Sequence, residues 1–96
     1  MRRIYLVTYD IANDKRLRLV FRKMNGYGEH LQYSVFQCEL SNKELIQMNA
    51  ELAAIINHRE DQVLIFSLGN ADSYNANATM AIGKPYSFVE RHAIVV

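Results

Sequence analysis

In the stretch VTYDIANDKR, residues 7–16 of a 96-residue sequence, an apolar run ends in Asp10, and Lys15, Arg16 and Arg18 follow closely. A carboxylate placed at the exit of a strand has two uses. It can accept backbone N–H groups in an Asx turn. It can also ligate a hard cation, because Mg²⁺ keeps several waters and takes only one or two protein carboxylates; a two-fold axis would then supply a second copy of Asp10. A metal held there would orient or deprotonate a water for attack on a phosphodiester. Arginine's planar fork suits bidentate phosphate contact, so Arg16 and Arg18 could hold the backbone of such a substrate, although a solvated helix face has the same appearance.

The charge distribution agrees with an anionic partner. Residues 1–23 hold seven of the 11 Lys and Arg against Asp10 and Asp14, while the remainder holds four cations against eight carboxylates. The first segment is therefore +5 and the rest −4, an asymmetry that suggests one face attracting nucleic acid. Other chemistries lack their signatures. There is no HExxH, CxxC or Walker pattern, and GYG at 26–28 has no third glycine at dinucleotide-binding spacing. His30, His58 and His92 are scattered without ligand spacing, and the single Cys38 reads as a small buried hydrophobe on a strand. No apolar run approaches the length of a membrane span, and Asp10 interrupts the N-terminal one, so a soluble cytoplasmic protein with no membrane partner is expected.

Local patterns define the elements that would position these residues. The run RRIYLVTYD predicts a buried central strand over about residues 3–9. Asn13 or Asp14 can cap a following helix whose Leu17, Val20, Phe21 and Met24 form one apolar stripe, ended by Gly26 and Gly28. HLQYSVFQCE alternates and then breaks phase at Phe36, which suggests one long bent strand with a bulge. Ser41 and Glu44 form a capping box for a second amphipathic helix to about Asn57, and DQVLIFSLG returns as a buried strand. A polar loop from Asn70, a short strand near Met80–Ile82, a turn at Gly83–Pro85 and a weak strand in AIVV at the C-terminus complete the reading.

That order fits an α+β, ferredoxin-like βαββαβ domain over residues 1–96, with two helices on one face of an antiparallel sheet plus a short C-terminal strand. With half its residues hydrophobic, the chain is globular, but its length leaves a thin core that a partner surface would help. Exposed Tyr33 or Phe36 could stack bases, and NGYGEHLQY echoes an RNA-binding signature, yet Asn25, Glu29 and His30 depart from it.

Taken together, YDI at 9–11, KRLR at 15–18, YG at 27–28 and LQYSVFQCEL at 31–40 resemble the small CRISPR-associated adaptation nuclease family, the partner of the CRISPR spacer integrase. The resemblance covers about residues 3–40; beyond them only the order of elements agrees. It implies a homodimer whose sheets pack face to face, with the segment from about residue 78 packing on the partner. It implies that Asp10 of each subunit is catalytic and holds Mg²⁺, with Mn²⁺ a possible substitute, for endonuclease action on single-stranded RNA or duplex DNA. It further implies that the dimer bridges integrase subunits during spacer acquisition in antiviral defence, and the residues do not rank the nuclease above the alternative of a non-catalytic structural adaptor in which any cleavage is incidental. By position, Tyr9 and Phe36 would lie near the site, and Arg16, Arg18 and His30 along the nucleic-acid path. His30 departs from the arginine usual there and offers a weaker cation for phosphate.

Overall fold

The computed structural model describes residues 1–75 and 78–85. Strand β1 (Arg2–Asp10) leads to helix α1 (Asp14–Asn25), then β2 (Glu29–Gln32), β3 (Val35–Ser41), helix α2 (Asn42–Ile55), β4 (Gln62–Asn70) and a 3₁₀ turn at Ala71–Ser73. The strands form one antiparallel sheet in the order β2-β3-β1-β4. Alternation along the central strands sends Tyr5, Val7 and Tyr9 of β1 and Phe36, Cys38 and Leu40 of β3 to one face. There they meet Val20 and Met24 of α1 and Met48 and Leu52 of α2 in a single buried cluster. Both helices therefore cover the same face, which is the ferredoxin-like arrangement. Among the described residues no helix is long and apolar enough to cross a membrane.

Side chains at the helix ends fix where the chain turns. Asn13 caps α1 by accepting the Arg16 N–H at 3.0 Å. Ser41 and Glu44 form the reciprocal capping box of α2, with the Ser41 N–H donating to Glu44 Oε1 at 2.8 Å. Gly28 is set by close approach, because a Cβ there would overlap the Gln37 carbonyl and Cys38 Sγ. Its missing side chain lets β2 lie against β3.

Three expectations need correction. Residues 29–40 are two strands, β2 and β3, joined at Tyr33 and Ser34, with Tyr33 at φ 29°; the irregularity falls between His30 and Gln32 and leaves Phe36 in register. β4 is not buried on both faces: Val63 and Ile65 pack on the core, whereas Leu64, Phe66 and Leu68 are 43–47 % exposed. Both helices pack on the same face of the sheet, so the other face of β4 is left open. Met80–Ile82 forms no strand, and Met80 and Ile82 lie exposed. The C-terminal strand expected in AIVV, and most of the segment expected on a partner, lie outside the described residues.

Candidate metal and nucleic-acid site

Asp10 is the last residue of β1, paired with Gln62 of β4, and it is exposed. Strand alternation places it with Leu6 and Thr8 on the face away from the helices. Its carboxylate makes no hydrogen bond or ion pair to any described residue, so the Asx turn is not formed. Other groups do the local structural work. Asn13 caps the helix, and Asp61 takes the Ala12 N–H at 2.8 Å and the Asn57 N–H at 2.8 Å.

Asp61 was not legible as a site residue, and it organises the loops beside Asp10. Its side chain is fully buried and receives Arg16 Nε at 2.7 Å and a second guanidinium nitrogen at 3.2 Å. Glu60 accepts from Arg16 as well, at 3.0 Å. The guanidinium first, and the Asn57 and Ala12 amides after it, hold the Asp61 carboxyl well below the usual carboxylate range against the opposing cost of burial. Arg16 is thus committed to a bridge between the β1–α1 and α2–β4 loops. Arg18, two positions on, is exposed and has no ion-pair partner among the described residues.

The remaining residues of the expected site lie on the helix side of the sheet. Tyr9 is buried, its ring stacked on Phe36 at 6.2 Å, and burial pushes its phenol up while a hydrogen bond with Ser34 opposes the shift. Phe36 is wholly buried and also meets Phe21 at 5.6 Å and His30 at 5.0 Å. His30 stands edge-on to Phe21 at 5.0 Å. Its Nε2 lies 2.6 Å from the Tyr33 carbonyl, which can only accept, so that nitrogen carries a proton and donates. Asp10 and Arg18 are therefore open to a ligand, whereas Arg16, His30, Tyr9 and Phe36 are engaged within the fold.

Among the described residues no group of three or more potential metal ligands converges. An exposed, unpartnered carboxylate still fits Mg²⁺, which is content with one or two carboxylates and water.

Four antiparallel strands under two helices, with an open carboxylate at the exit of a central strand, define a ferredoxin-like α+β protein carrying a metal-compatible aspartate. Residues 1–76 match the family model described as CRISPR associated protein Cas2, and the chain belongs to that family. It is 43 % identical over 96 residues, covering 100 % of both chains, to a Geobacter sulfurreducens protein named CRISPR-associated endoribonuclease Cas2. A Rhodospirillum rubrum protein named CRISPR-associated endoribonuclease Cas2 1 is 41 % identical over 92 residues, 96 % of this chain and 89 % of the relative. Among solved structures, Streptococcus pyogenes Cas2 at pH 6.5 superposes with a TM-score of 0.71 at 29 % identity, covering 83 % of this chain and 99 % of that one.

Proposed function

We propose that this chain is a metal-dependent endonuclease of CRISPR adaptation, working in the cytoplasm as a homodimer that also bridges the spacer integrase. The observation that carries the reading is the Asp10 carboxylate: exposed at the end of a central strand, it has no partner among the described residues, while Asn13 and Asp61 satisfy the adjacent backbone. Family membership and the relatives named endoribonucleases support it. Asp10 from two subunits would hold the metal. When bound, Mg²⁺, or Mn²⁺ in its place, supplies Lewis-acid polarisation and a more acidic water at the phosphodiester.

The chain's own residues do the rest. Exposed Lys15, Arg18 and Arg22 on α1 attract the phosphate backbone. The Arg16–Asp61 bridge holds the loop that follows Asp10, limiting its freedom when substrate binds. Leu64, Phe66 and Leu68 leave an apolar sheet face that a second copy would cover. Phosphate contacts position a substrate without reading its sequence, so these residues suit RNA and DNA alike.

Incubation of wild type and Asp10→Ala with single-stranded RNA and with duplex DNA, each with Mg²⁺ and with EDTA, tests the reading. Cleavage should require both Asp10 and the metal on at least one substrate. Cleavage by the variant at the wild-type rate would remove Asp10 from the chemistry.

A further inference from the structure

Tyr33 is the only non-glycine residue with positive φ among those described, at 29°, and it is 94 % exposed. A bulky side chain in this region is strained, and such strain persists only where surrounding structure imposes it. Here the surroundings do so. His30 donates to the Tyr33 carbonyl at 2.6 Å, and the His30 ring rests edge-on against Phe21 and tilted against the buried Phe36. On the other side, the Tyr9 N–H donates to the Ser34 carbonyl at 3.1 Å. The phenol ring itself makes no hydrogen bond or ring contact with any described residue.

The fold thus braces a hairpin tip from behind while presenting an aromatic ring to solvent. Its location gives that ring a use. Val35 pairs with Thr8, and Ser34 bonds to Tyr9, so the β2–β3 tip stands at the end of the sheet where β1 delivers Asp10.

We propose that Tyr33 stacks an unpaired nucleobase of the substrate and that the braced hairpin selects single-stranded nucleic acid over fully paired duplex. Every base has a π-face, so the ring needs no particular sequence; a fully paired duplex buries those faces in its own stack. This inference rests on the chain acting on nucleic acid at Asp10, but binding can be measured without cleavage.

The test is fluorescence anisotropy in EDTA with labelled single-stranded RNA, single-stranded DNA and blunt duplex DNA. Tyr33→Leu, which keeps an apolar side chain of similar bulk and loses the π-face, should weaken single-strand affinity by about tenfold, within the span for one stacked base. Duplex affinity should change less than twofold, and Tyr33→Phe should bind as wild type. The single strand that responds identifies the sugar. Tyr33→Gly, which accepts the positive φ, should show the same single-strand loss while unfolding no more easily than wild type. Unchanged single-strand binding by Tyr33→Leu, an equal loss on duplex, or a dimer that dissociates on substitution would overturn the proposal. Cleavage by Asp10→Ala, measured separately with Mg²⁺, tests the nuclease reading, and undiminished cleavage there would sink that reading while leaving the Tyr33 binding result standing.

Discussion

Replacing Phe36 by leucine separates a core role from a substrate-contact role. The ring is completely buried and meets Tyr9 at 6.2 Å, Phe21 at 5.6 Å and His30 at 5.0 Å. Aromatic pairs contribute about 0.5–1.5 kcal/mol each beyond burial, and the lost volume adds about 1 kcal/mol. With three such contacts the sum is about 2.5–5.5 kcal/mol, which overlaps the cost of a full Phe→Ala truncation. For a chain this size that corresponds to a fall in melting temperature of at least about 10 °C. Urea and thermal unfolding should be compared at equal subunit concentration, because dimerisation makes apparent stability concentration-dependent. Cleavage measured well below both transitions, per folded molecule, should stay within about threefold of wild type. An unchanged unfolding midpoint combined with lost cleavage would refute the reasoning, since it would put the ring against substrate and outside the core.

Acid should expose the work of Asp61. Its carboxyl is held below the ordinary value mainly by Arg16, so the stabilisation is complete above the unfolded pKa of about 3.9 and is lost as pH falls below it. The urea midpoint of wild type should therefore drop more steeply between about pH 5 and pH 2 than that of Asp61→Asn, and parallel curves would show that the ion pair contributes nothing. Phe66→Asp, at the centre of the exposed β4 stripe, should give a folded monomer by sedimentation, whereas an intact dimer would locate the interface elsewhere.

Features set by neighbouring residues were the legible ones. The Ser41–Glu44 capping box, the Asn13 cap and the strand-forming run of β1 each involve side chains within a few positions of the backbone they organise. The hairpin at Tyr33–Ser34 was hidden because neither residue is a usual positive-φ turn former, and the brace from His30 is a tertiary arrangement. Arg16 read as a phosphate contact because its partner Asp61 lies 45 positions away. The residue types on α1 alone do not distinguish Arg16, tied down by that partner, from the open Arg18. β4 looked buried because its apolar residues run nearly without a break, and only the packing of both helices on one side of the sheet reveals that Leu64, Phe66 and Leu68 face outward. Asp10 itself was ambiguous for the same reason: choosing between an Asx turn and a ligand required knowing that Asn13 and Asp61 already satisfy the loop.

Metal-dependent cleavage by Asp10→Asn, measured beside wild type at matched concentrations of folded dimer, tests the central claim most directly. Because the carboxylate has no partner among the described residues, the substitution should leave the unfolding free energy within about 0.5 kcal/mol of wild type. Cleavage in Mg²⁺ should fall by at least about a hundredfold, to the level seen in EDTA. Undiminished Mg²⁺-dependent cleavage, or a loss of activity that simply follows unfolding of the variant, would contradict the assignment of Asp10 as the metal-binding residue.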